Sequence, residues 1–273
     1  MLITGGTGFV GQQIVKALLH RKIEITLVVR KGKEKDAKEL CSFANVISSD
    51  DIFSENEQWW ASACTSIDTV LHSAWYVEPG KYLESKKNLE CLVGSLALVG
   101  GAGVAKVKRF IGIGTCFEYK MSTSRITVET PLQPLSTYAA SKVALYTFCS
   151  EFLPKQKIEF AWCRLFYLFG EGEKPGRLGS YIRDQLTASK KAQVKGASLV
   201  RDFMDVKDAG NAIARIALGR SSGQFNICSG VPLTVKNFAE GIADQQGKRN
   251  LLDFQNILNS KETPCIVGVP SVI

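Results

Sequence analysis

The chain has 273 residues, enough for one large α/β domain with a small appendage, and its 45% hydrophobic and 22% charged content is that of an ordinary globular protein, not a disordered or fibrous one. No apolar run approaches the roughly 20 residues that a bilayer span requires, and no leader-like segment precedes the first strand, so the reading is cytoplasmic with no membrane partner. The formal charge is +8, yet Lys and Arg are spread along the chain with acids between them, which suits an anionic cofactor and substrate and argues against nucleic acid. Eight cysteines without any Cys-x-x-Cys pair and only two histidines, His20 and His72, leave no metal site and no Ser-His-Asp triad; buried free thiols account for the cysteines.

Met1 to Thr4 reads as a short apolar strand running into Gly5-Gly6-Thr7-Gly8-Phe9-Val10-Gly11, and Gln12 to Leu19 as an amphipathic helix with Ile14, Val15, Leu18 and Leu19 on one face. Strand, glycine turn and helix in this order, with glycines at 6, 8 and 11, fit the dinucleotide fingerprint: a tight turn, close approach to a pyrophosphate, and close helix–strand packing. Gly5, Gly8, Phe9, Val10 and Gly11 are therefore candidate cofactor-binding positions, since N–H groups at a helix start favour phosphate. The next strand, Ile23 to Val29, ends at Arg30, where an acid would take the ribose 2′-hydroxyl of NAD and an arginine suits the 2′-phosphate of NADP; NADP is favoured, NAD stays possible, and simple solvation of Arg30 is the alternative. The run Lys31, Lys33, Lys35 and Lys38, interleaved with acids, fits a solvated helix face. After the strand at Asn45–Ile47, Asp50 and Asp51 stand where a carboxylate takes an adenine amino group, or are ordinary loop acids.

Further strands at Thr69–His72, Arg109–Ile113 and Glu159–Leu165 alternate with helical patterns, among them Lys81–Gly100 and Tyr138–Phe152. Such alternation predicts an α/β fold, a Rossmann-type doubly wound parallel sheet with ligands at the carboxyl edge of the strands. Glycines and prolines after residue 166 break the pattern, and Gly223 to Leu233 reads as one late strand-like piece. The expected organisation is a dinucleotide-binding domain over 1–165 and a smaller substrate-binding region over 166–273, with some segments returning to the first.

Tyr138 and Lys142 lie four apart at the start of a helical segment and share a face. An ammonium beside a phenol favours phenolate, so Lys142 is expected to lower the pKa of Tyr138 and make it an acid/base. Tyr82 and Lys86 have the same spacing, but Tyr138 follows the strand ending in Thr115, whose hydroxyl can share a substrate oxygen, while Tyr82 is expected to pack or face solvent.

With these residues the chain resembles the extended short-chain dehydrogenase/reductases of the NAD-dependent epimerase/dehydratase type, which act mainly on nucleotide-activated sugars. Leu71-His72-Ser73-Ala74 resembles the family's cofactor-lining His-x-Ala-Ala segment, and similar stretches are Arg164 to Gly170, Arg201 to Asp208 and Phe225 to Gly230. The resemblance implies Thr115, Tyr138 and Lys142 as catalytic residues, His72, Ser73 and Ala74 beside the cofactor together with Tyr138 and Lys142, and Thr115, Tyr167 and Arg201 at the substrate, Arg201 on its diphosphate. It departs from the family at Cys116 and Phe117, where 4,6-dehydratases carry Asp-Glu, and at Cys91 and Tyr167, where asparagine is usual; Asn88 lies one turn before Cys91. Dehydration is thus disfavoured. Gly-Thr-Cys-Phe-Glu-Tyr resembles members that reduce a 4-keto-6-deoxy sugar nucleotide, so NADPH-dependent reduction is expected, with NAD-dependent epimerisation or a non-catalytic nucleotide-binding role as alternatives. Lys174, Arg177 and Tyr181 are further substrate candidates, and the resemblance implies a homodimer through the two long helices.

Overall fold

A computed structural model describes residues 1–21, 23–121, 125–255 and 263–273. The chain begins β1 (Leu2–Thr4), α1 (Phe9–Leu18), β2 (Thr26–Arg30), α2 (Glu34–Leu40), β3 (Asn45–Ser49), α3 (Glu57–Ala63) and β4 (Thr69–His72). It continues through α4 (Lys87–Val104), β5 (Arg109–Thr115), a 3-10 turn at Cys116–Glu118, α5 (Thr137–Lys155), β6 (Glu159–Leu165) and β7 (Tyr167–Phe169). Then follow α6 (Leu178–Thr187), β8 (Ala192–Lys195), β9 (Val200–Asp205), α7 (Val206–Leu218), β10 (Gly223–Ile227), β11 (Pro232–Thr234), α8 (Val235–Asp244), β12 (Leu252–Gln255) and β13 (Cys265–Ile266).

Seven strands form one parallel sheet in the order β10-β6-β5-β4-β1-β2-β3, the doubly wound α/β fold expected from the alternation of elements. Successive side chains of a strand point to opposite faces. Leu2, Val28, Val70, Phe110 and Trp162 pack with α3, α4 and α5, while Ile3, Leu27, Leu71, Ile111 and Cys163 pack with α1, α2 and α7. Both faces are covered, which is why the strands read as unbroken apolar runs. The strand order reverses at β1, between β2 and β4, and places a crevice at the carboxyl edge there.

The approach of α1 to β1 is set by glycine. A Cβ on Gly11 would lie 2.0 Å from the Gly5 carbonyl oxygen, and Gly5 itself, at φ +69°, would push a Cβ to 2.6 Å from the Ala74 nitrogen. The helix starts at Phe9, three residues before the apolar pattern suggests, because Gly8 is its extended N-cap. Similarly α4 starts at Lys87, not near Lys81: the preceding residues turn, and Asn88 Nδ2 donates to the carbonyls of Tyr82 at 2.6 Å and Ser85 at 3.0 Å.

The run Gly223–Leu233 is two strands in different sheets, with β10 extending the central sheet beside β6 and β11 antiparallel to β9. Asp202, fully buried, makes the break: its carboxylate accepts the Ser229 and Gly230 N–H groups at 2.7 and 2.9 Å, the Ser229 hydroxyl at 2.7 Å and the Gly268 N–H at 3.1 Å. β7 and β13 also pair with β9, β8 pairs with β12, and α6 and α8 close over these strands around Phe203 and Phe238, stacked 3.9 Å apart. On the outer surface Leu89 and Val93 of α4 and Phe148 of α5 are exposed. Among the described residues no helix is long and apolar enough to cross a membrane.

His72, at the end of β4, joins three elements. The Ser95 hydroxyl donates to the Cys91 carbonyl at 2.6 Å, so it accepts from His72 Nε2–H at 2.8 Å, which leaves Nδ1 to accept from the Thr4 hydroxyl at 2.8 Å. Burial, and secondly the Lys142 cation, push its pKa down to about 3.

Two outcomes follow from these contacts. Gly11→Ala drives a methyl into backbone that cannot yield and is expected to cost about 1–3 kcal/mol in urea denaturation, whereas Gly241→Ala, with open space around its Cβ in α8, is expected to gain about 0.5–1 kcal/mol. Because His72 is neutral when folded and ordinary when unfolded, its contribution is complete above about pH 6.5 and is lost as pH falls toward 3, at up to about 1.4 kcal/mol per pH unit. Denaturation midpoints at pH 7.5 and 5.5 should therefore differ more in the native protein than in His72→Gln.

Candidate active site

All seven strands run the same way, so Gly5, Arg30, Asp50, Ser73 and Thr115 come out on one edge of the sheet. At the turn after β1 the Gly8 N–H donates to the Gly5 carbonyl at 2.9 Å, and the first turn of α1 has neither a side-chain cap nor an acidic residue. Its N–H groups, with Phe9 and Val10 among them, are unspent donors at a turn where Gly5 and Gly11 pack backbone on backbone with no room for a Cβ. These residues fit a dinucleotide pyrophosphate. Ser73 and Ala74 lie over Gly5, their N–H groups donating to the Thr4 carbonyl at 3.2 Å and the Thr4 hydroxyl at 3.3 Å. Their neighbour His72 does not line this cleft by its ring, contrary to expectation: it is 2% exposed and both nitrogens are spent inside. At the far end of the edge Arg30 is exposed, Lys31 pairs with Asp50 at 3.5 Å, and Asp51 caps its own loop by accepting the Phe53 N–H at 3.0 Å. The loop after β7 crosses in front: Glu171 pairs with Lys16 at 2.7 Å and Lys207 at 3.3 Å, and the Arg177 guanidinium lies 5.7 Å from the Phe9 ring.

Thr115, Tyr138 and Lys142 come together where β5 ends against α5. Ser136 caps α5 by accepting the Ala139 N–H at 3.2 Å, and the Tyr138 N–H donates to the Leu83 carbonyl at 2.8 Å, which fixes the first turn of the helix over the sheet edge. Tyr138 is 8% exposed and Lys142 3%. The expected lowering of the phenol by the ammonium is not what the surroundings produce. Burial first, then Tyr82 and Glu118, push the Tyr138 phenol above its ordinary value, with the Thr115 side chain pulling the other way. Lys142 has turned to other partners: Nζ donates to the Ile113 carbonyl at 2.8 Å and lies 3.7 Å from the Trp75 ring centre, and burial, opposed by Glu118, lowers its pKa to about 7.

Several contacts at this place are not visible in the sequence. Tyr82 packs edge-on against Tyr138, ring centres 4.9 Å apart. Trp75, which follows the His-Ser-Ala segment directly, donates from Nε1 to Asn88 Oδ1 at 2.9 Å. Glu118, fully buried, accepts the Thr115 N–H at 2.8 Å and pairs with Arg164 at 2.5 Å. The Thr-x-x-Glu spacing of Thr115 and Glu118 is a capping-box pattern and was the available signal for the last of these.

Beyond Cys116, Tyr167 lies between Phe117 and Phe203, each ring centre 6.0 Å away. Arg201 is 7% exposed and lies over Tyr167 at 5.4 Å, with Nη1 donating to the Val200 and Thr263 carbonyls at 2.9 Å each. That nitrogen buttresses the wall behind Tyr167. Cys116, beside them, is 2% exposed and its thiol is pushed up by burial, so it offers no acid/base group.

The chain is 24% identical over 253 residues to the dTDP-6-deoxy-L-talose 4-dehydrogenase (NAD(+)) of Aggregatibacter actinomycetemcomitans, covering 88% of each. Its fold is similar to that of the dTDP-glucose 4,6-dehydratase DesIV of Streptomyces venezuelae, solved with NAD bound, at a TM-score of 0.83, 20% identity and coverage of 98% and 88%. It is likewise similar to the UDP-N-acetylglucosamine 4-epimerase of Methanobrevibacter ruminantium M1, at a TM-score of 0.87, 19% identity and coverage of 99% and 89%. With residues 1–228 matching its profile, the chain belongs to the NAD dependent epimerase/dehydratase family.

Proposed function

We propose that this enzyme reduces the keto group of a nucleotide-activated sugar, most simply a 4-keto-6-deoxy sugar, with NADPH. The observation that carries the reading is a buried phenol, Tyr138, beside the Thr115 hydroxyl at the carboxyl edge of the sheet, its proton held across the neutral range. Reduction of a ketone starts from this group in its protonated form, which is the form in which it stands. When bound, the nicotinamide supplies the hydride. Tyr138 delivers its proton to the ketone oxygen, and the Thr115 hydroxyl steadies the charge that develops there. We assign the pyrophosphate to Gly5, Gly8, Phe9, Val10 and Gly11, the adenosine end to Arg30, Asp50 and Asp51, the nicotinamide ribose to Lys142, and the wall of Tyr167 and Arg201 to the sugar nucleotide. Arg30, exposed at the end of β2 with no acid beside it in that strand, supports NADPH, although the Aggregatibacter relative is named for NAD(+). That relative's named activity at position 4 of a 6-deoxy sugar supports the substrate class, since such a dehydrogenation in reverse is a ketone reduction. Cys116 and Phe117, in place of an acid pair, argue against elimination of water.

Mixing the protein with NADPH or NADH and a panel of 4-keto-6-deoxy sugar nucleotides is expected to consume the reduced nicotinamide, faster with NADPH. Interconversion of sugar nucleotides without net consumption would replace the reading by epimerisation, and no turnover of any kind would leave nucleotide binding alone. Tyr138→Phe is expected to lower kcat by about 10²–10⁴-fold with cofactor affinity unchanged.

The exposed Leu89, Val93 and Phe148 support a homodimer through α4 and α5. Light scattering is expected to give a dimer for the native protein and a monomer for Val93→Glu; a native monomer refutes the pairing.

A further inference from the structure

Glu118 carries a carboxylate into the interior at the end of β5, and no step of the proposed reduction uses it. Both it and Arg164 are fully buried, with Arg164 Nε 2.5 Å from Glu118 Oε2. The Thr115 N–H donates to Oε1 at 2.8 Å and Trp162 Nε1–H to Oε2 at 3.0 Å. The strand gives up side chains to admit this group: a Cβ on Gly114 would lie 2.4 Å from Oε1 and 2.3 Å from Trp162 Nε1, and one on Gly112 would lie 2.3 Å from the Trp162 ring. A buried ion pair is seldom worth more than hydrocarbon of the same volume, so its presence calls for a reason other than stability.

The pair has a direction. The guanidinium end faces away from the cleft, with Nη1 donating to the Tyr119 hydroxyl at 3.1 Å and to Gln224, and with the Tyr146 ring centre 4.6 Å away. At the carboxylate end, the Thr115 N–H that Oε1 accepts lies two residues along β5 from the Ile113 carbonyl that takes Lys142 Nζ at 2.8 Å, so one strand end holds both the carboxylate and the ammonium, and the charge raises Lys142 and Tyr138 alike. Around Tyr138 stand also Tyr82, Cys116, Thr115 and Trp75; around Lys142 stand Cys91, His72, Trp75 and the Ile113 carbonyl. A negative pole there favours ammonium over amine and phenol over phenolate.

We propose that Glu118 is a positioning residue: held by Arg164, it fixes the Thr115 end of the site and sets a negative charge at the strand end that holds the Lys142 ammonium. The consequence for turnover rests on the reductase reading; the charge effect itself does not.

Glu118→Gln keeps an acceptor for Thr115 and Trp162 and removes only the charge. With carbon-13 lysine and NMR, the Lys142 signal, assigned by its disappearance in Lys142→Met, is expected to titrate near pH 7 in the native protein and at least one pH unit lower in Glu118→Gln. Because that variant leaves Arg164 unpaired, Glu118→Gln/Arg164→Met removes both charges, and a smaller fall in the same direction is expected. An unchanged midpoint in a folded variant overturns the proposal, and so does failure of both variants to fold, which assigns the pair to architecture. If the native protein turns over no sugar nucleotide while the midpoint still moves, the reductase reading fails and the assignment of Glu118 stands.

Discussion

The contact on which the rest depends is backbone against backbone at the start of the chain. Gly11 of α1 rests on the Gly5 carbonyl, and Gly5 rests on the loop of Ser73 and Ala74. Because no side chain intervenes, α1 comes close enough for Ile14, Val15 and Leu18 to be buried on the sheet. The same closeness leaves the helix start bare at the sheet edge, its N–H groups turned to whatever occupies the crevice. The packing and the bare helix start thus have one cause here, and β1, lying between β2 and β4, passes any displacement to both neighbours.

The elements that were legible in the sequence are those whose pattern is set by covering both faces of a sheet. Thr69–His72 and Glu159–Leu165 were read to the residue because every position in them meets a helix layer or a neighbouring strand. The start of α4 was not, since it depends on Asn88 capturing two carbonyls across a loop, and the break between β10 and β11 was not, since it depends on the Asp202 carboxylate gathering donors from distant segments. Periodicity carries no trace of such side-chain clasps. In the site, the positions of Thr115, Tyr138 and Lys142 were legible from one spacing and one strand end. Their partners were not: Tyr82, expected to pack or face solvent, packs on Tyr138 itself, which its spacing from Lys86 does not show.

The protonation of the site shows which effect prevails. An ion pair or dipole at helical spacing is worth a few tenths of a kcal/mol on a surface, about 0.2–0.5, whereas full burial shifts a titratable group by as much as 3–5 pH units. Tyr138 and Lys142 are both nearly closed to solvent, so burial governs each, raising the phenol and lowering the ammonium. Spacing alone therefore misjudged the sign at Tyr138. What remains adjustable is the charge placed nearby.

Two buried carboxylates show how such a charge is either absorbed or put to use. Asp202 takes three N–H groups and a hydroxyl, from Ser229, Gly230 and Gly268. Its charge is spread over backbone dipoles from two loops, so it joins segments. Glu118 takes one backbone N–H, one indole and one guanidinium, and the guanidinium lies on the side away from the cleft. A carboxylate ringed by backbone donors projects little field, whereas Glu118 takes a single backbone N–H, that of Thr115, two residues along β5 from the carbonyl that holds the Lys142 ammonium. The same residue chemistry thus serves architecture in one place and proton placement in the other, and the geometry of the partners decides which.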